Sequence, residues 1–103
     1  MTRFALLPLN SPSVVFTYHG DDDDDYDLCF QALLSVKFDE QHEVAPKTTN
    51  ITVSLDNAKG VFTKFIGNLK LNTKAEVWHD NYYFNGAVVD MSIDEVVNIT
   101  VSV

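Results

Sequence analysis

Residues 68–79, NLKLNTKAEVWH, decide the fold class, because inward and outward positions alternate along the whole stretch. Odd positions from Leu69 to Val77 carry apolar or small side chains, and even positions from Lys70 to Trp78 carry polar or large ones. Successive side chains of a strand point to opposite faces of its sheet, so this period of two predicts a strand with one buried face.

The same period recurs along most of the chain. A long strand is predicted over 28–38, with six apolar residues on one face, and Asp39 to Thr48 is predicted to be a loop. Asn85-Gly86 lies between two apolar runs and predicts a hairpin turn. The remaining predicted strands cover 4–9, 13–18, 51–55, 82–84, 87–89 and 97–103.

One segment is ambiguous. Apolar residues from Ala58 to Leu69 follow helical spacing, with Asp56 as a candidate cap and Gly67 as a candidate end, although 61–66 also fits a strand. We favour the short helix, near 57–66. At 103 residues the chain is expected to be one domain, 1–103. The predicted class is all-β or β-rich: a small β-sandwich or barrel of about seven strands.

The charge of the chain is concentrated in one place. The net charge is −8, and six aspartates lie within residues 21–27, DDDDDYD, while the other nine acidic residues are nearly balanced by seven basic ones. Such a run repels nucleic acid and anionic membranes, so direct binding to either is not expected. It favours cations and the basic surfaces of other proteins.

Three interpretations of the aspartate run stay open: a solvated loop, a face for a basic protein, and a cation site. Asp21, Asp23, Asp25 and Asp27 are the candidate metal ligands, with calcium as the candidate ion. The EF-hand pattern fails, because Tyr26 stands where the sharp turn needs Gly, and Ala32 where the bidentate Glu belongs. No other cofactor is expected. As a partner-binding segment, the run comprises Asp21, Asp22, Asp23, Asp24, Asp25, Tyr26 and Asp27.

A second candidate surface is aromatic. Trp78 falls on the polar face of its strand, and the neighbours Tyr82 and Tyr83 cannot both point into one core. Some of this aromatic surface is therefore expected to be accessible, as an anchor for a protein partner or a platform for a sugar. The competing interpretation is a sheet buried on both faces, with Trp78 inside.

Enzymatic activity is not expected, because the sequence contains neither a G-x-S-x-G nor an H-E-x-x-H motif, and its single cysteine, Cys29, lies between two apolar residues. The apolar run 4–9 is too short for a secretion signal, so a cytoplasmic or virion-associated protein is expected. The C-terminal strand 97–103 could pair with another copy, which would make a homo-oligomer.

These features predict a non-enzymatic binding protein whose acidic run contacts a basic face of a partner protein. By analogy of size and charge, we expect an inhibitor or accessory protein, such as a phage anti-defence or immunity protein. The alternative is a structural subunit of a phage or other assembly, joined through strand edges. A third hypothesis is a calcium-assisted carbohydrate-binding module.

Overall fold

The computed structural model describes residues 1–38 and 50–103, which form a β-rich domain with one short helix. This confirms the predicted class. The predicted loop over 39–48 lies outside the described residues. The elements are β1 (Arg3–Leu7), β2 (Val14–Thr17), β3 (Leu28–Phe30), β4 (Leu33–Phe38), β5 (Asn50–Asp56), α1 (Thr63–Gly67), β6 (Lys74–His79), β7 (Tyr82–Ser92) and β8 (Val96–Ser102).

The eight strands belong to one sheet with the order β3-β2-β1-β6-β7-β8-β5-β4. All neighbours are antiparallel except β2 and β3, which run parallel. A parallel pair cannot be joined by a tight hairpin, because the chain must return along the full length of the first strand. The aspartate run makes that return, and this fixes where it lies on the sheet.

The sheet is strongly coiled. β4 is four strands away from β6, a separation of about 19 Å in a flat sheet. Yet the ring of Phe38 on β4 lies 5.2 Å from His79 on β6, and 5.1 Å from Phe84 on β7. In addition, only Gln31 and Ala32 separate β3 from β4, which are the two outermost strands. The sheet therefore curls until its inner face encloses the core and its two edges come close together.

The core consists of side chains that alternate along the inner face. Phe4 and Phe16 stack with ring centroids 6.0 Å apart, and Phe62 meets Phe16 edge-on at 5.3 Å. Residues 62–69 cover the core from one end, where Ile66 is fully buried. Further large, fully buried side chains of this core are Leu6, Val14, Ile51, Val53, Leu55, Val77, Val88 and Ile99, all on strands.

The predicted strand over 28–38 is wrong in two respects. It is divided at Gln31-Ala32 into β3 and β4, which occupy opposite edges of the sheet. In addition, the pairing of β4 with β5 shifts between Leu33 and Ser35, so Leu34 is an extra residue in a bulge. The bulge reverses the phase of the alternation, which leaves Leu33 buried and Leu34 about half exposed.

The predicted turn at Asn85-Gly86 is also wrong, because β7 runs through both residues. The turn lies earlier, at Asp80-Asn81, where Asp80 has a φ of 55°. Gly86 faces β8 so closely that a Cβ atom there would lie 2.8 Å from a methyl carbon of Val103 and closer still to the carbonyl oxygen of Ser102. A close approach between strands, and not a turn, explains this glycine.

Two further boundaries differ from the predictions. The helix covers only Thr63–Gly67. Asp56, the predicted cap of this helix, is instead the last residue of β5. The strand predicted over 68–79 begins only at Lys74, because Asn72 has a φ of 70° and Thr73 N–H bonds the carbonyl of Lys70 in a turn. α1, the helix of the described residues, is too short to cross a membrane.

The C-terminal strand is not at an edge of the sheet. β8 pairs with β7 on one side and with β5 on the other, over nearly its whole length. Its backbone donors and acceptors are therefore already used within the domain. The strand predicted over 97–103 offers no open edge for pairing with a second copy.

Candidate functional site

The acidic loop, which we define as residues 21–27, covers the outer face of the sheet over β1, β2 and part of β6. Ala5 on β1 and Val15 and Thr17 on β2 point away from the main core, yet none of them is exposed to solvent. The loop crosses over these residues on its way from β2 to β3. Side chains of the loop meet the outer face at Arg3 and Glu76.

Arg3 is the centre of this contact. Its Nη1 donates hydrogen bonds to the carboxylates of Asp23 and Asp25, the latter at 2.9 Å. The Asp23 side chain is only 3% exposed. The guanidinium carbon of Arg3 lies 4.1 Å from the ring centre of Trp78 and 5.6 Å from that of Tyr26. A guanidinium can bond carboxylates in its plane while its faces contact aromatic rings.

Burial alone would lower the pKa of the Arg3 guanidinium. The hydrogen bonds to Asp25 and Asp23 outweigh this effect, and the pKa is raised from its ordinary value. Arg3 therefore keeps its positive charge within this contact. It neutralises part of the charge of the loop and makes the close approach of two carboxylates tolerable.

Glu76 connects the loop to the aromatic residues of the sheet. Tyr26 donates from its hydroxyl to Glu76 Oε1 at 3.2 Å, and Tyr83 donates to Glu76 Oε2. Burial, followed by the nearby charge of Glu76, strongly raises the pKa of Tyr26. The hydrogen bond to Glu76 raises the pKa of Tyr83. Trp78 lies between the two tyrosines, 6.1 Å from Tyr26 and 4.9 Å from Tyr83.

The ends of the loop are also attached. At its end, Asp27 accepts hydrogen bonds from the backbone and hydroxyl of Ser13 at 2.9 and 3.1 Å. Near its start, the Gln31 amide donates to Asp22 at 2.8 Å and accepts from the backbone of Gly20 at 3.0 Å. In the middle, Asp25 N–H bonds the carboxylate of Asp23 at 2.9 Å. The loop is therefore held at both ends and in its centre.

The loop still presents a dense negative surface. Only Asp23 of its six aspartates is substantially buried, and the Asp25 side chain is 66% exposed although it bonds Arg3. Tyr83, at the border of this surface, is 49% exposed. The exposed acidic side chains of the loop are Asp21, Asp22, Asp24, Asp25 and Asp27.

The candidate metal ligands do not converge. Asp23 and Asp25 both turn to Arg3, whereas Asp27 turns to Ser13 at the other end of the loop. Across residues 1–38 and 50–103, no three His, Cys, Asp or Glu side chains are arranged to hold a metal ion.

The structure brings together most of the residues that the sequence suggested separately. The acidic loop, Trp78 and Tyr83 form one continuous surface. Tyr82 is 68% exposed but lies on the opposite face of β7 from Tyr83, beside Phe84. The alternation of a strand imposes this separation on the two adjacent tyrosines.

Sequence reasoning missed Arg3 and Glu76, the two residues that join the loop to the sheet. A signal for Arg3 was present: it is the only arginine of the chain, and no lysine occurs before Lys37. Glu76 had no such signal, because a glutamate on the polar face of a strand is an ordinary surface residue.

No protein-family model, curated protein or solved structure matches this chain. Its function must therefore be inferred from its own residues.

Proposed function

We propose that this is a non-enzymatic binding protein, an inhibitor or accessory protein, whose acidic loop binds a basic face of a partner protein. The observation that supports this proposal is the way the loop is held. Arg3 fixes Asp23 and Asp25 against Trp78, while Asp21, Asp22 and Asp24 remain exposed. A solvated loop without a role would need none of these contacts.

Fixing the loop benefits binding in a specific way. A flexible acidic segment would have to be ordered when it meets a partner, at a cost of roughly 0.5–1.5 kcal/mol per immobilised side chain. Here Arg3, Ser13 and Gln31 order the loop before any partner arrives. The exposed carboxylates can therefore attract lysine and arginine side chains at long range and also meet them in a defined arrangement.

Tyr83 gives this surface an apolar component. It is 49% exposed, and its hydroxyl is bonded to Glu76, so its ring is presented in a fixed orientation. Tyrosines of this kind are frequent anchors in protein interfaces, where the surrounding charged pairs contribute less affinity than the ring. The proposed contact surface is therefore the acidic loop together with Tyr83.

The two other hypotheses gain less support. For a sugar platform, Trp78 would need an open ring face, but the Arg3 guanidinium covers one face at 4.1 Å. For an assembly subunit, the candidate contacts were the C-terminal strand and the strand edges; β8 lies inside the sheet, which leaves β3 and β4 as the edges for such a contact.

The experiment compares three forms of the protein as bait in lysate of its source, at low and high salt. The first is wild type, and the second is Asp21→Asn/Asp22→Asn/Asp24→Asn. Asparagine keeps an oxygen that can accept the hydrogen bond of Gln31, so the loop should stay in place. The third is the control, Asp90→Asn/Asp94→Asn/Glu95→Gln, with the same charge change at exposed residues of the β7–β8 hairpin.

We expect wild type and control to capture the same basic protein, with release at high salt. With that partner purified, the loop variant should bind roughly tenfold more weakly, as expected for three exposed charge pairs. Equal loss of affinity in the loop variant and the control would show that only net charge matters, and would contradict a specific role of the loop.

A further inference from the structure

The charge of the protein is divided between two regions. In contrast to the acidic loop, the segment 57–75 contains four lysines and no acidic residue: Lys59, Lys64, Lys70 and Lys74. This segment is a positive island in a chain with a net charge of −8. It has no part in the surface described above.

A groove of about 550 Å³ lies beside this segment, between the β1–β2 turn and residues 68–74. It begins at Leu7, at the end of β1 opposite to Arg3. Among the described residues that line it, the charged ones are Lys70 and Lys74, and neither forms an ion pair with another described residue. Its apolar lining consists of Leu7, Pro8, Leu9, Phe65, Leu69 and Leu71.

The wall of the groove is preformed. Asn72 N–H bonds the carbonyl of Val88 at 2.7 Å, and Val88 N–H bonds the carbonyl of Thr73 at 2.9 Å. The Thr73 hydroxyl bonds the carbonyl of Lys70 at 2.6 Å. The two bonds to Val88 attach residues 72–73 to β7, and the third holds residues 70–73 in a turn, so a ligand would not have to order this segment. Sites for small molecules are typically of this size, mostly apolar and largely preformed.

From this arrangement we propose that the groove binds a small anionic amphiphile, a molecule with an apolar chain or ring and one carboxylate. The apolar part would cover Leu71, which is 57% exposed, and Leu9, which is 99% exposed. The carboxylate would meet the ammonium groups of Lys70 and Lys74. Because both charged residues of the lining are basic, a cationic amphiphile of the same size would be disfavoured.

The test uses octanoate, octanol and octylamine as probes that share one chain and differ in charge. Titration of the folded protein by calorimetry, with amide NMR spectra, measures affinity and location together. We expect saturable binding of octanoate, weaker binding of octanol and the weakest binding of octylamine. Amide shifts should concentrate in residues 7–11 and 65–74. Equal binding of all three probes, or shifts elsewhere, would overturn the proposal.

Lysine variants separate the groove from the general charge of the protein. Lys70→Gln/Lys74→Gln should weaken octanoate binding about fivefold and leave octanol unchanged, since exposed ion pairs contribute modestly. The matched control Lys59→Gln/Lys64→Gln removes two lysines that do not line the groove and should bind octanoate like wild type. Equal weakening in both variants would overturn the site.

Two further measurements separate this proposal from the proposed function and from self-association. The Lys70→Gln/Lys74→Gln variant should capture the basic partner of the acidic loop as wild type does, so failure of one proposal leaves the other standing. Without ligand, sedimentation should show that the protein does not self-associate through the groove. The contradicting outcome is self-association of wild type that the Leu71→Ser variant loses. Such self-association would identify a second copy as the occupant and overturn the amphiphile.

Discussion

Arg3 shows how much of this structure depends on a single residue. It is the only arginine of the chain, and it bonds two aspartates of the acidic loop while its guanidinium contacts Trp78 and Tyr26. A lysine at this position would keep the charge but could not bond two carboxylates in a plane while stacking on rings.

Replacement of Arg3 by alanine should destabilise the protein by about 3 kcal/mol, because the nearly buried carboxylate of Asp23 would lose its partner. Arg3→Lys should recover less than half of that loss. Urea denaturation of both variants provides the measurement. In a double-mutant cycle, Asp23→Asn should cost much less in the Arg3→Ala background than in wild type. Additive effects of the two changes would contradict a direct coupling.

Gly86 has an equally specific role within β7. Gly86→Ala should destabilise the protein by about 2 kcal/mol or more, because the added methyl group would collide with the backbone of Ser102. Gly67→Ala is the matched control: its Cβ would make an ordinary contact of 3.8 Å with Ile93. The control should be neutral or slightly stabilising. Thermal unfolding of the two variants distinguishes these outcomes, and similar Tm values would contradict the packing of β7 against β8.

At the scale of elements, the acidic loop is attached to β6 through a hydrogen bond that depends on the protonated Tyr26 hydroxyl. The unfolded chain loses the Tyr26 proton near its ordinary pKa of 10.0, whereas the folded protein, with its raised pKa, retains it to higher pH. The folded state therefore binds more protons above pH 10. Below that pH, Tyr26 makes its full contribution to the free energy of unfolding, and the contribution decreases as the pH rises further.

Tyr26→Phe tests this dependence. At pH 8 the variant should be about 1 kcal/mol less stable, because one hydrogen bond to Glu76 is lost. Between pH 9 and 11 its stability should decrease less steeply than that of wild type. Tyr82→Phe, on the other face of β7, should follow the wild-type profile. Chemical denaturation across the pH range measures all three proteins, and parallel profiles for wild type and Tyr26→Phe would contradict the role of Tyr26.

The strands that the sequence predicted well are those whose environment is uniform along their length. In β5 and β8 every second residue faces the core, and the alternation is visible without knowledge of the fold. The errors arose where a distant strand determines the local structure. Leu34 is the extra residue of a bulge because of the way β4 pairs with β5. Position 86 requires a glycine because the end of β8 passes close to it.

The candidate site was predictable in its parts but not as a whole. The aspartate run stands out by its charge, and Trp78 stands out because it lies on the polar face of its strand. Their proximity depends on the parallel pairing of β2 with β3, which sends the loop across the outer face. No local pattern encodes that pairing, so the contact of Arg3 with Asp23 and Trp78 became visible only in three dimensions.

For the whole molecule, the order of strands predicts slow folding. The hairpins β1–β2, β6–β7 and β7–β8 join neighbours in sequence, but β1 must also pair with β6, where Arg3 lies opposite Trp78. Sheets that depend on such distant pairs fold in roughly milliseconds to seconds. We expect the fluorescence of Trp78 to change in this slow phase, since its environment requires β1. Stopped-flow refolding measures it, and a tryptophan signal complete within the hairpin time of about 10 μs would contradict the prediction.

The two-residue link between β3 and β4 has a consequence for behaviour at high concentration. The outermost strands of an open sheet are the places where another chain can add a strand and start aggregation. Here those strands follow each other in the chain with only Gln31 and Ala32 between them, and β3 has just three residues. An incoming chain therefore meets a short strand on one side and a closely tethered neighbour on the other. We therefore expect the connection that closes the curl of the sheet also to hinder edge-to-edge aggregation.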